Sequence, residues 1–240
     1  MLLLSVRIGG ARAGEATLCP PRLQHGHLEI TFRAPLTILV GENGGGKTTI
    51  LEAIAARCGI RPGGGQSYRQ FEDDRAGAAL SDAALSDATE VDRQHGLRSF
   101  FLRTDRLHDL PDCDVRLPMA TTGDWRGADK QSRGEGVLSS LNARVDSMES
   151  MLFLLDEPKT GLSPQRQMAL LILLDGIVRD GRSQAIVATH SPMLMAHPAA
   201  GCLWLDEDGI DRRKLDDIDH WRTMYRFMRD PAAALKRLLE

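Results

Sequence analysis

The sequence predicts an α/β fold. A mainly parallel central sheet is covered by helices, with antiparallel strands near the N-terminus and an inserted, partly helical subdomain. Three observations predict it. First, the apolar, β-branched run Leu36-Thr37-Ile38-Leu39-Val40 leads into Gly41-Glu42-Asn43-Gly44-Gly45-Gly46-Lys47-Thr48-Thr49. Ile50-Leu51-Glu52-Ala53-Ile54-Ala55-Ala56 follows with apolar residues at helical spacing, so the stretch reads strand, glycine loop, helix. Second, Met151-Leu152-Phe153-Leu154-Leu155 is uninterrupted apolar sequence, which suits a strand covered on both faces of a parallel sheet. Third, Ala185-Ile186-Val187-Ala188 repeats that pattern and ends in Thr189-His190-Ser191.

Taken in order, residues 2–8 read as an edge strand and residues 9–27 as loop, with His25 and His27 flanking Gly26 in an exposed turn. Leu28-Glu29-Ile30-Thr31-Phe32 alternates apolar and polar, as a half-buried strand does. After the glycine loop and its helix, composition changes at Gly59. Residues 59–96, rich in Gly, Ala, Asp and Ser, read as surface loops and short helices, with a linker at 61–67. Leu97 to Leu102 returns to strand character, and residues 104–131 are again polar and irregular. A helix is expected from Ser132 to about Ser147, with Val137, Leu138, Leu141 and Val145 on one face. Ser163-Pro164 opens the next helix, over 164–179, as N-cap and first-turn pair. Its stretch Met168 to Leu174 is apolar nearly all round, which predicts deep burial. Cys202-Leu203-Trp204-Leu205 and Gly209-Ile210 form a hairpin, and the remainder is helical, with Asp230-Pro231 starting the last helix. The whole, residues 1–240, reads as a single domain with an insertion at approximately 59–145 that carries residues 132–135 at its end.

Composition limits the function classes. At 42% hydrophobic residues the chain can bury a sizeable core, whereas 5% aromatics offer no obvious stacking platform for single-stranded nucleic acid. A net charge of −3 gives no global pull toward nucleic acid or anionic lipid. Cys19, Cys58, Cys113 and Cys202 lie far apart, with no metal-ligand spacing, which fits a reduced compartment. The N-terminus has no basic leader, and no apolar run approaches the ~18 residues of a spanning helix. A cytoplasmic protein with no membrane segment in this chain is the expectation.

The glycine loop matches G-x-x-x-x-G-K-[ST]. Glycines let successive backbone N–H groups converge on phosphate, and the following helix adds its positive end. Lys47 can reach the β- and γ-phosphates, and the Thr48 hydroxyl can hold Mg²⁺. Asp156 and Glu157 close a buried strand, where ligands of α/β sheets bind. Asp156 suits Mg²⁺, directly or through water, and Glu157 suits the base that deprotonates an attacking water. His190 closes another strand at the same edge, where a neutral or protonated imidazole can donate to the γ-phosphate or to the water.

This order of motifs, with Gln131-Ser132-Arg133-Gly134-Glu135 standing before Leu154-Leu155-Asp156-Glu157-Pro158, resembles an ABC-type ATPase. It is most similar to the small soluble AAA-family branch that resembles the heads of chromosome-maintenance and break-repair ATPases. The resemblance implies a P-loop NTPase fold that binds ATP and Mg²⁺. Gly41, Glu42, Asn43, Gly44, Gly45, Gly46, Lys47, Thr48 and Thr49 resemble the Walker A. Asp156 and Glu157 resemble the Walker B aspartate and catalytic glutamate, and His190 the switch histidine. Ser132, Arg133, Gly134 and Glu135 occupy the signature position, which in the family faces the γ-phosphate bound by a second subunit. Thr160-Gly161-Leu162-Ser163 stands at the D-loop.

The chain departs from that pattern in three places. The signature is not the full Leu-Ser-Gly-Gly-Gln of transporters, Ser163 stands where an aspartate is usual, and no glutamine follows the strand at 99–102. Arg103 and Asp105 stand near that last position.

Three functions are therefore weighed. The leading one is an ATPase with ATP held between two copies of the chain, an ATP-dependent homodimer. A nucleotide-gated clamp on nucleic acid or protein is the second, motivated by Arg93, Arg98, Arg103 and Arg106. The ATPase of a transport system whose membrane part is a separate chain is the third.

Overall fold

The computed structural model describes residues 2–9, 27–42, 44–60, 65–66, 89–94, 96–104, 133–145, 150–206 and 209–239. Its strands are β1 (Leu3–Ile8), β2 (Leu28–Thr31), β3 (Leu36–Gly41), β4 (Gly65–Gln66), β5 (Thr89–Arg93), β6 (Arg98–Arg103), β7 (Met151–Asp156), β8 (Gln184–Ala188), β9 (Ala200–Asp206) and β10 (Gly209–Arg213). Its α-helices are α1 (Lys47–Arg57), α2 (Arg133–Val145), α3 (Pro164–Asp180), α4 (Pro192–Met195), α5 (Asp219–Arg229) and α6 (Pro231–Leu239).

Two sheets form. The larger has seven strands in the order β10-β9-β3-β8-β7-β6-β4. Its central pairs are parallel, and antiparallel β10 and β4 close its edges. β3 and β7 are buried along their whole length, as expected of strands covered on both faces. The smaller sheet is antiparallel, in the order β2-β1-β5.

Helix α1 and the small sheet enclose one apolar cluster against the main sheet, with Ile50, Leu51, Ile54, Val6 and Ile8. Helices α2 and α3 enclose the other cluster, with Val137, Leu141, Leu170, Leu174 and Ile177. α1 and α2 therefore cover opposite faces of the main sheet. Gln184, fully buried, ties the two sheets together. Its Oε1 accepts from the N–H groups of Leu2 and Leu3 at 3.0 and 2.9 Å, and its Nε2 donates to the Leu3 carbonyl at 3.1 Å.

Two expectations are corrected. Thr89–Arg93 is a strand paired with β1, not loop or short helix. Thr-Glu-Val-Asp-Arg holds one strongly apolar residue, so its conformation comes from a partner more than eighty residues upstream. The Met168 to Leu174 stretch is not deeply buried throughout, since Met168 is 50% and Ile172 72% exposed. α3 covers the sheet with one stripe, Leu170, Leu174 and Ile177, and its other face lies outward. Within the expected linker at 61–67, Gly65 and Gln66 add an edge strand to β6. Residues 61–64 and 67–88, and most of 104–131, lie outside the described residues.

Candidate functional site

Strands β3, β8, β7 and β6 run parallel and side by side, so their carboxyl ends share one edge. In register, Asp156 lies beside Ala188 of β8 on one side and Arg103 of β6 on the other. Four polar segments emerge there: the glycine loop after β3, Thr104 after β6, Asp156-Glu157 from β7 and Thr189-His190 after β8. This is where α/β sheets bind ligands.

The loop leaves β3 at Gly41. A Cβ at Gly41 would stand 2.3 Å from the Leu205 carbonyl oxygen, so only glycine lets β3 pass β9 here. Gly46 caps α1 at φ 89°, a left-handed conformation that glycine adopts without strain. Lys47 is buried, and its Nζ donates to the carbonyls of Gly41 and Glu42, each at 2.8 Å. The side chain thus lies folded back along the loop. Burial pushes its ammonium below the ordinary value, while the carboxylates of Glu157 and Asp156 pull the other way.

Thr48 Oγ1 donates to Asp156 Oδ1 at 3.2 Å. One hydroxyl and one carboxylate oxygen, both hard, therefore face each other beside the loop. That donor set fits Mg²⁺, which keeps water and phosphate oxygens as its other ligands.

Glu157 has φ +46°, a left-handed backbone that side chains rarely adopt. Its N–H donates to the Ala188 carbonyl at 2.9 Å, so the chain turns sharply while still tied to β8. The Thr104 hydroxyl lies 3.1 and 3.0 Å from the Asp156 and Glu157 carbonyl oxygens and shares its proton between them. Thr189 Oγ1 donates to Glu157 Oε2 at 3.3 Å, and His190 Nε2 stands 3.7 Å from Glu157 Oε1. Burial pushes His190 down to about 4, helped by the charges of Lys47 and Lys159 and by His220. At neutral pH the imidazole is therefore uncharged, and its approach to Glu157 is not an ion pair.

Gly41, Glu42, Gly44, Gly45, Gly46, Lys47, Thr48, Thr49, Asp156, Glu157 and His190 all stand at this edge. Asn43 and Ser132 lie outside the described residues. Arg133, Gly134 and Glu135 open α2, on the opposite sheet face from α1. Arg103 is buried and ion-paired with Glu52 of α1. It belongs to the floor of the site and not to an open basic surface. Sequence reading assigned no role to Thr104, Thr189 or Gln167. Thr104 and Thr189 could have been flagged as the first hydroxyls after buried strands. Gln167 Oε1 accepts from the Ser191 hydroxyl at 2.7 Å, and nothing in its helical context announces that contact.

Comparison with known proteins gives the following likenesses. Residues 23–106 match the family model described as "AAA domain", and residues 138–196 match "AAA domain, putative AbiEii toxin, Type IV TA system". ABC multidrug transporter A-1 of Aspergillus fumigatus is 30% identical over 179 residues, which is 67% of this chain and 12% of that protein. ABC-type transporter vrcC of Aspergillus aculeatus is 28% identical over 183 residues, with the same coverage of 67% and 12%. The chain thus spans 12% of the length of these relatives. Among solved structures, an inward-facing "putative metal-chelate type ABC transporter" aligns with TM-score 0.53 and 15% identity over 93% of this chain and 88% of that one.

A strand-loop-helix phosphate cradle beside a strand-end aspartate and glutamate defines a P-loop NTPase. The motif order and the fold are those of ABC-type P-loop ATPase domains, which the chain resembles.

Proposed function

We propose that this chain binds ATP with Mg²⁺ at the shared strand edge and hydrolyses it, working in the cytoplasm as an ATP-dependent homodimer. The observation that carries this reading is the convergence of Thr48 and Asp156 with Glu157, Thr189 and His190 beside one glycine loop.

Each side chain has a task that its position supports. The backbone of residues 41–46 and the start of α1 present N–H groups to the phosphates. Lys47 exchanges its two loop carbonyls for phosphate oxygens. Thr48 and Asp156 would hold Mg²⁺, which would supply positive charge to the phosphates. Glu157 Oε1 accepts the proton of the attacking water, while Thr189 keeps Oε2 occupied and the carboxylate oriented. His190, neutral, donates from its ring to the γ-phosphate or to the water.

General-base catalysis contributes about 10²–10⁴-fold, so Glu157→Gln should lower kcat by that range with ATP still bound. Lys47→Ala should weaken ATP binding itself. Steady-state hydrolysis and equilibrium binding of Mg·ATP check both. Hydrolysis by either variant at the wild-type rate would sink the assignment.

A transport role has one observation in its favour, the ABC transporters among the relatives. Among the described residues no helix is long and apolar enough to cross a membrane. Any membrane part would then lie outside the described residues, and stable co-purification with a membrane protein tests a transport role.

A further inference from the structure

We infer that His220, on α5, is a positioning residue for the strand-edge site, setting the His190–Ser191 peptide and through it both His190 and Glu157; this rests on the hydrolytic reading above.

His220 Nε2 stands 2.8 Å from the His190 carbonyl oxygen. A carbonyl has no proton to give, so Nε2–H is the donor, and this fixes the tautomer of a neutral His220. The two rings meet edge to face, with centroids 6.0 Å apart and planes at 74°. The N–H of the same peptide, on Ser191, donates to Thr189 Oγ1 at 3.1 Å. Thr189 Oγ1 in turn donates to Glu157 Oε2. The peptide is thus held from both ends, and hydrogen bonds run unbroken from α5 to the carboxylate of Glu157.

Thr189 N–H donates to the Leu39 carbonyl and Ser191 caps α4, but neither contact engages the His190 carbonyl, which His220 holds. His220 is itself well anchored. Ile218, just before α5, is fully buried, and Trp221 packs on the same apolar cluster as α3. α5 therefore enters the site as a braced element, and a rotation of α5 would pull on the His190 carbonyl.

The test separates donor from ring. His220→Phe keeps a ring of similar size and removes the donor, whereas His220→Gln places an amide N–H near the position of Nε2. Misplacing reacting groups by about 1 Å costs up to ~10²-fold, so His220→Phe should lower kcat at least ~10-fold, with KM for ATP within ~2-fold. His220→Gln should stay within ~3-fold of wild type by the same reasoning. Histidine-labelled NMR of the nucleotide-free protein gives a readout that needs no turnover, with His190→Ala assigning the signal. The His190 ring resonances should shift or broaden in His220→Phe and keep their wild-type positions in His220→Gln.

Wild-type kcat and wild-type His190 signals in His220→Phe would overturn the inference. So would His220→Gln behaving like His220→Phe while melting as wild type does. If the wild-type protein shows no Glu157-dependent hydrolysis, the hydrolytic reading fails, and the NMR comparison still decides whether His220 positions His190.

Discussion

Glu157 is the single non-glycine residue at positive φ among the described residues. Such a conformation costs on the order of 1 kcal/mol or more, and it persists where the surroundings over-determine it. Here the Glu157 N–H is bonded to Ala188, its carbonyl accepts from Thr104 and from the Thr160 N–H, and its carboxylate accepts from Thr189. The strain turns the carboxylate out of the strand toward the glycine loop while Asp156 stays in the ladder. Asparagine tolerates the left-handed region better than glutamate does. Glu157→Asn should therefore raise stability by about 1 kcal/mol, roughly 2–4 °C in Tm for a chain of this size, while lowering kcat at least ~10²-fold. Thermal unfolding without nucleotide, beside an ATPase assay, checks the pair. An unchanged or lowered Tm would mean that the backbone at Glu157 is relaxed.

At the scale of elements, Gln184 shows how a polar side chain can stand in for a sheet. It supplies acceptor and donor to the start of β1, which among the described residues has no strand neighbour in the main sheet. Gln184→Leu fits by volume but strands two N–H groups and one carbonyl. Unsatisfied buried groups cost about 1–3 kcal/mol each, so a loss of roughly 2–4 kcal/mol in denaturant unfolding is expected after partial relaxation. A loss below ~0.5 kcal/mol would show that the small sheet docks by apolar contact alone. The strands that sequence pattern revealed are those whose burial is written in every residue, such as β3 and β7. β5 was illegible because Thr89 and Val91 become strand residues only by pairing with Val6 and Ile8. α3 was legible as a helix but not in its burial. A run of apolar residues does not say that Ile172 points away from the stripe formed by Leu170 and Leu174.

At the scale of the whole molecule, the nucleotide-site residues named from sequence that lie in the described part gather at one sheet edge, except the signature segment, while Arg93 and Arg98 stand away from it. The gathered residues were legible because a parallel sheet gathers its strand ends, so polar residues that close apolar runs must meet. The supporting contacts, Thr104, Thr189 and His220, were not, since each is set by tertiary register. The signature segment opens α2, and α2 lies across the main sheet from α1. A helix N-terminus presents free N–H groups and a positive dipole end to an anion. On the homodimer proposed above, the start of α2 would serve the nucleotide of a second copy and not its own. Glu157→Gln, which retains ATP, should then trap the pair. Its solution mass should be that of a monomer, 26.4 kDa, without nucleotide, and double with Mg·ATP. Gly134→Glu, which sets a negative charge at the start of α2, should bind ATP normally in that background yet stay monomeric. If the Glu157→Gln mass is unchanged once binding is confirmed, each site works alone and α2 has no part in it. If Gly134→Glu dimerises as readily, the contact between copies lies elsewhere.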